Sequence, residues 1–168
     1  MKKTVFIIGG KGGSGKDAFC DAASVTWKVR NRSSITPIKE MAARIGWDGK
    51  KDERGRLLLV RLKEAMTDYN DLPQNYLLEE YKEFMQSDEH IMFAHIREKD
   101  QMDRFAAAIP TACYTLLIHR PSQDGVVLGN SSDDLAESFE YDLRFENSGT
   151  LEGLPQAAKE FLMPIVEE

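Results

Sequence analysis

A short apolar segment that runs directly into a glycine-rich loop constrains this chain more than any other feature. Residues 5–8 (VFII) form a continuous apolar run, which is typical of a parallel strand covered on both faces. Gly10-x-x-x-x-Gly15-Lys16 follows, and then Cys20, Ala23 and Trp27 recur at helical spacing. Because the loop opens a helix, its backbone N–H groups and the helix dipole favour a bound anion.

The glycine spacing is that of a phosphate-binding loop (P-loop), in which successive N–H groups turn inward and the lysine reaches the β- and γ-phosphates of a nucleotide. A glycine-rich strand-to-helix turn with a capping aspartate is the alternative interpretation. We expect nucleotide phosphates to be bound by Gly10, Lys11, Gly12, Gly13, Ser14, Gly15, Lys16 and Asp17.

Asp17 stands where a serine or threonine normally follows the P-loop lysine. A hydroxyl at that position coordinates Mg²⁺, and a carboxylate can do so directly or through water, although it adds negative charge near the phosphates. Asp17 is therefore the candidate metal ligand. As an acidic residue in the first helical turn, it also interacts favourably with the helix dipole.

Apolar strands alternate with amphipathic helices along the rest of the chain, which predicts an α/β three-layer sandwich with a parallel sheet and helices on both faces. No internal repeat or low-complexity linker interrupts residues 1–168, so one domain is the simplest organisation. Residues 135–139 are expected to form a short helix. The predicted strands are 5–8, 33–36, 91–96, 113–118 and 142–146.

The composition narrows the partners. A net charge of −6 with no basic face disfavours a nucleic acid polymer. Cys20 and Cys113 lie outside any CxxC pair, so we expect no zinc site and two free thiols, as in a reducing cytoplasm. The apolar run at residues 5–8 is too short for a membrane span. We therefore expect a cytoplasmic protein without a membrane partner.

With Gly15-Lys16-Asp17 in its P-loop, the chain resembles the phage-type deoxynucleoside monophosphate kinases and the animal-type phosphomevalonate kinases, in the nucleoside monophosphate kinase-like branch of P-loop proteins. The resemblance implies a P-loop NTPase fold with a five-stranded parallel sheet, ATP with Mg²⁺, and a small-molecule acceptor that already bears a phosphate. It extends in order through residues 37–40 (PIKE), 91–97, 132–134, 137–138 and 141–149.

The resemblance also implies roles for individual positions. An acceptor-binding helical segment would span about residues 37–88, and a lid about residues 120–134. Arg120 would open the lid and contact the transferring phosphates, while Asn147 and Gly149 would lie near the adenine. The candidates for holding the acceptor are Lys39, Arg56, Arg61, His95 and Arg97.

Phosphoryl transfer needs positive charge around the equatorial oxygens rather than covalent chemistry by the protein. Lys16, Arg97 and Arg120 are therefore the candidate catalytic residues. His95 departs from the group, which usually has an aspartate at this strand end. Asp17 or Glu98 is a candidate to replace that charge; His95 could instead be a base, an acceptor contact or a strand-capping residue.

These features predict an ATP-dependent phosphotransferase, favoured as a nucleoside or deoxynucleoside monophosphate kinase because Gly55-Arg56-x-Leu58-Leu59 is closer to the phage-type enzymes. Another phosphorylated metabolite is an alternative acceptor. The loop with Lys11 is also similar to that of partitioning-type ATPases, which are switches without an acceptor, and a degenerate kinase that only binds nucleotide is a third possibility. The sequence is compatible with a monomer or a homodimer.

Overall fold

The computed structural model describes residues 2–129 and 135–167. Its centre is a sheet of five parallel strands in the order β2-β3-β1-β4-β5. The apolar run before the P-loop is the middle strand, and all six of its residues are buried. The strands are β1 (Thr4–Gly9), β2 (Val29–Ser33), β3 (Ile91–His95), β4 (Cys113–His119) and β5 (Leu143–Glu146).

Helices cover both faces of the sheet because side chains alternate along each strand. Phe6 and Ile8 of β1 pack with α1 and α6 on one face, whereas Val5 and Ile7 pack with α4 and α5 on the other. This confirms the predicted α/β sandwich. The helices are α1 (Lys16–Ser24), α2 (Thr36–Arg44), α3 (Glu53–Asn70), α4 (Leu72–Gln86), α5 (Lys99–Ala108) and α6 (Leu154–Val166).

Helices α2, α3 and α4 also contact one another through a third, smaller cluster. Ile38 and Ala42 of α2 meet Leu59 of α3, and Leu72 of α4 packs against them. Pro37 lies in the first turn of α2, where its missing N–H leaves no helical hydrogen bond unmade. The cluster holds the amino-terminal half of α2 close to the carboxyl ends of β2 and β3, with Ser34 N–H donating to His95 O at 3.1 Å.

The second strand was placed wrongly by the apolar pattern. The sequence predicts it at residues 33–36, but β2 is the polar segment Val29–Ser33, every residue of which is half-buried. Arg30 explains why so polar a segment can pair with β3. Its guanidinium donates to Glu80 and Glu83 of α4 and to Glu89, at 2.9, 2.8 and 2.6 Å.

The region after β4 also differs from expectation. A short 3₁₀ helix, Pro121–Gln123, follows β4, and residues 135–139 form turns rather than the predicted helix. Residues 132–134, which were expected to form the exit of the lid, lie outside the described residues. Within the described ranges, none of the helices combines the length and apolar character that a membrane crossing requires.

We expect Arg30→Ala to lower the free energy of unfolding by about 2–4 kcal/mol, because removing the guanidinium leaves partly buried carboxylates without that partner. The Arg30 side chain is 11% exposed and carries three carboxylate contacts. Urea denaturation followed by circular dichroism measures the change. Arg104→Ala is the matched control, because Arg104 and its partner Asp71 are both more exposed than Arg30. This variant should lower the free energy of unfolding by less than about 1 kcal/mol. Equal losses in the two variants would contradict the role assigned to Arg30.

Candidate nucleotide-binding site

The loop between β1 and α1 has a backbone that only glycine accommodates easily. Gly10, Gly13 and Gly15 have φ angles of 142°, 79° and 92°, in the region that disfavours residues with a side chain. A Cβ atom on Gly10 would lie 2.5 Å from the carbonyl oxygen of Ile118, and one on Gly15 would overlap the amide nitrogen of Asn147. The glycines thus let the loop lie directly against β4 and the segment after β5.

Lys16 begins α1 and folds back over its own loop. Its ammonium group donates to the carbonyl oxygens of Gly10 and Lys11 at 2.7 and 2.9 Å. The side chain is half-buried, so the charge is held at the mouth of the loop rather than extended into solvent. This arrangement of N–H groups, helix start and lysine fits a polyphosphate.

Asn147 joins three elements at the loop. Its side-chain amide donates to the carbonyl oxygen of Ser14 at 2.8 Å, and its backbone N–H donates to His119 O at 2.7 Å. The residue expected near the adenine therefore lies directly against the P-loop and ties it to the ends of β4 and β5. Gly149 is exposed two residues further on, and a Cβ atom there would meet no other atom within 4 Å.

Arg120 also reaches the loop. Its guanidinium donates to the carbonyl oxygen of Gly13 at 3.4 Å, and the side chain is exposed. Residues 121–129 then pass beside the P-loop, where the ammonium of Lys11 approaches the carbonyl oxygen of Val126 at 3.4 Å. The structure thus brings the arginine expected at the start of the lid to the loop that is expected to bind phosphate.

Asp17 projects from the first turn of α1 with its side chain 89% exposed. Its Oδ1 atom lies 3.8 Å from Nε2 of His95, across the carboxyl edge of the sheet. An accessible carboxylate oxygen beside a phosphate loop is the hard ligand that Mg²⁺ prefers. The donor at this position therefore fits the metal that the P-loop implies.

His95 is the last residue of β3, and its ring makes a polar contact that the sequence does not predict. Its Nε2 atom lies 2.7 Å from Oδ1 of Asn31 on β2 and 3.7 Å from Sγ of Cys20 on α1. Asn31 is not part of any motif, and only the pairing of β2 with β3 brings it to His95. The short contact is a hydrogen bond if Nε2 carries the ring proton.

The charge of His95 is decided by its burial. The pKa of His95 is lowered to about 4, chiefly by desolvation and also by the cations Lys16 and Arg97, against the opposing effect of Asp17. The imidazole is therefore neutral at physiological pH. It does not supply the negative charge of the aspartate that related enzymes have at this strand end.

A group of cations lies near Asp17, in the first turn of the helix that the P-loop opens. Lys39 of α2 is half-buried, and its pKa is lowered by burial and by the positive charges of Lys51 and Arg97. These residues come from α2, from the loop before α3 and from the segment after β3. Three cations from separate segments form an electropositive position suited to an anionic group of a ligand. Lys51 was not predicted from the sequence, because it lies in a polar loop without a motif.

Two other residues that were expected to bind the acceptor are more exposed than Lys39. Arg56 and Arg61 are both exposed on α3, and among the contacts described neither reaches the P-loop. Glu98, a candidate to replace the missing aspartate, accepts from the ammonium of Lys63 at 2.8 Å with both oxygens. That ion pair links α3 to the start of α5, so the carboxylate of Glu98 is already paired with a cation.

Comparison with solved structures shows the same fold at low sequence identity. Dephospho-CoA kinase from Campylobacter jejuni is 14% identical, with a TM-score of 0.57 over 99% of both chains. A protein of Chloroflexus aurantiacus with a provisional kinase assignment is 12% identical, with a TM-score of 0.53 over 98% of both chains. TT1252 from Thermus thermophilus is 19% identical, with a TM-score of 0.51 over 98% of this chain and 99% of the other. No protein-family model and no curated protein sequence matches the chain.

Replacing Lys16 with alanine is expected to weaken the binding of Mg²⁺-ATP by roughly 10- to 100-fold, the equivalent of losing one or two charge-assisted hydrogen bonds. Isothermal titration calorimetry measures the affinity. Lys82→Ala is the control, because Lys82 is an exposed lysine that pairs only with Glu79 among its described contacts. An unchanged affinity in Lys16→Ala would contradict the assignment of the loop.

Proposed function

We propose that the protein is an ATP-dependent kinase that transfers the γ-phosphate of ATP to a small molecule already carrying a phosphate. The observation that carries this proposal is a group of cations close to the P-loop. Lys39 lies within electrostatic reach of Lys51, of Arg97 and of Asp17 in the first turn of α1. Lys16 and Arg120 both contact the P-loop. A nucleotide and an anionic acceptor bound there would meet at the ends of β1 and β3.

The roles follow from the electrostatics of phosphoryl transfer, in which charge on the transferring group must be stabilised. Lys16 would bind the β- and γ-phosphates, and Arg120 would hold the γ-phosphate from the side of Gly13. Arg97 would neutralise the acceptor beside Lys39. Asp17 would hold Mg²⁺, and a bound Mg²⁺ would neutralise phosphate oxygens.

The missing negative charge at position 95 is compatible with a phosphate, rather than a hydroxyl, as the attacking group. A hydroxyl nucleophile must lose its proton, a task for which kinases use a carboxylate base. A phosphate monoester has its second pKa near about 6, so its oxygen is already ionised at neutral pH. That oxygen can form the new bond to the γ-phosphorus while the bond to the β–γ bridging oxygen breaks and ADP leaves, with no proton to remove. The absence of an aspartate at position 95 is compatible with this reaction.

We propose a nucleoside or deoxynucleoside monophosphate as the acceptor, on the resemblance of residues 55–59 to the phage-type kinases. Another phosphorylated metabolite is the alternative, and it is supported by the similarity to a dephospho-CoA kinase fold. A partitioning-type switch is less favoured, because Asp17 stands where that class has a threonine. Such a switch would show slow hydrolysis without an acceptor and ATP-driven dimerisation.

The acceptor is identified by measuring ADP release from Mg²⁺-ATP in the presence of each common nucleoside monophosphate and deoxynucleoside monophosphate, and of phosphomevalonate. We expect one acceptor class to stimulate ADP release. Lys39→Ala should then raise the KM for that acceptor by roughly tenfold with little change in the KM for ATP, because Lys39 faces the acceptor side. Lys82→Ala serves again as control. ATP binding without stimulation by any phosphorylated acceptor would argue against a kinase of this class.

Exchanging His95 for aspartate tests whether the reaction needs a carboxylate at the end of β3. We expect kcat to fall by roughly tenfold or more, because the new carboxylate would be buried beside Asp17 and would repel the phosphates. His95→Asn, which keeps a neutral polar group, should retain more activity. Steady-state kinetics with the acceptor found above gives both values. A higher kcat in His95→Asp would show instead that the histidine is a degenerate aspartate.

A further inference from the structure

His119 ends β4 between carboxylates from three other segments. Its side chain is only 8% exposed. Nδ1 lies 2.6 Å from Oε2 of Glu146, and Nε2 lies 2.7 Å from Oδ1 of Asp124. Glu137 approaches Nε2 at 3.9 Å, and its Oε1 atom is buried without a hydrogen-bond partner. No motif includes His119, so the sequence does not distinguish it from a core histidine.

Carboxylate oxygens at hydrogen-bond distance from both ring nitrogens favour a proton on each nitrogen. A neutral imidazole has one N–H, and the lone pair of its other nitrogen would face a carboxylate oxygen at hydrogen-bond distance. In the imidazolium form, both nitrogens donate charge-assisted hydrogen bonds. The opposing charge is Arg144 of β5, which itself pairs with Glu146.

A metal ion fits the same atoms less well. Two ligands of one tetrahedral Zn²⁺, each about 2.0–2.1 Å from it, lie roughly 3.3 Å apart. The 2.7 Å separation of Nε2 and Asp124 Oδ1 is that of a direct hydrogen bond. The distances therefore fit the doubly protonated ring better than a bound metal ion.

The position of His119 connects this charge to the nucleotide site. Arg120 is the next residue and reaches Gly13 of the P-loop. Asp124, held by Nε2, lies in the segment that follows Arg120. Glu146, held by Nδ1, directly precedes Asn147, whose N–H donates to His119 O. One ring thus links the segment that carries Arg120 to the strand end that carries Asn147.

We propose that doubly protonated His119 is a positioning residue that holds Arg120 and Asn147 against the P-loop when nucleotide binds. The inference rests on the proposed nucleotide binding. His119 itself contacts neither the loop nor a phosphate in the described contacts. It acts through the two residues that do, so its loss should weaken nucleotide binding rather than remove a reacting group.

The proposal makes nucleotide binding dependent on pH. Hydrogen bonds to Glu146 and to Asp124 raise the pKa of His119 above its ordinary value of 6.5, against smaller opposing effects of burial and of Arg144. A raised pKa means that the charged contacts are complete below pH 6.5 and are lost as the pH rises through the pKa of the folded protein. Affinity for the nucleotide should therefore decline on the alkaline side.

Nuclear magnetic resonance of the imidazole nitrogens tests the charge without any assumption about activity. The chain has three histidines, so His90→Gln and His119→Gln complete the assignment. We expect His119 to be doubly protonated at neutral pH, with a titration midpoint that falls in Glu146→Gln because a hydrogen bond to the charged ring is weakened. A neutral ring at neutral pH, or a proton displaced by one equivalent of Zn²⁺, would overturn the proposal.

Calorimetric titration with Mg²⁺-ATP between about pH 5 and pH 9 tests the positioning role. The wild-type affinity should fall by roughly tenfold across the His119 titration, and Glu146→Gln should shift that fall to lower pH. His119→Gln should be weak at every pH, and Glu140→Gln, an exposed acid, should behave as wild type. If His119 is charged but the affinity for Mg²⁺-ATP does not change with pH, the positioning role is overturned. Absent ATP binding at every pH would instead overturn the proposed function, while the resonance measurement would still decide the charge of His119.

Discussion

The contact between the P-loop and the strands beside it is the constraint on which the rest of the site depends. Gly10 lies against the carbonyl group of Ile118, and the amide of Asn147 lies against Gly15 and Ser14. These close approaches leave no room for a Cβ atom. They therefore fix the position of the loop relative to β4 and to the end of β5. Lys16 and Arg120, the cations proposed to meet the phosphates of ATP, both contact this loop.

Charge is distributed unevenly around this contact, although the chain as a whole is acidic. Lys39, Lys51 and Arg97 lie close together, and burial of Lys39 together with repulsion from the other two cations lowers the pKa of Lys39. An anionic acceptor would relieve that repulsion, which is a physical reason for binding it there. His119, by contrast, is surrounded by carboxylates, so negative charge predominates around it. The two environments suit different tasks, binding an anion and holding a segment in place.

His95 connects the electrostatics with the chemistry. A buried histidine with a pKa of about 4 cannot replace an ionised aspartate, and Glu98 is engaged by Lys63. Of the two carboxylates considered as replacements, Asp17 is the exposed one next to the P-loop, and it suits a metal better than a proton. A kinase with such a site is better matched to an acceptor whose nucleophilic oxygen is already ionised. The site is therefore compatible with the phosphate acceptor that the resemblance implies.

The sequence by itself determined the strand, loop and helix of the P-loop, the parallel α/β architecture and the positions of Lys16, Asp17 and Arg120, because these depend on local periodicity and on glycine spacing. It failed at β2, where Arg30 and Arg32 hide a strand that is stabilised by carboxylates of α4. Only the tertiary structure placed Asn31 against His95, Lys51 beside Lys39, and carboxylates on both nitrogens of His119. Those partners lie far apart in the chain or in segments without periodicity, so the packing of the sheet and helices, rather than any local pattern, decides which charges meet.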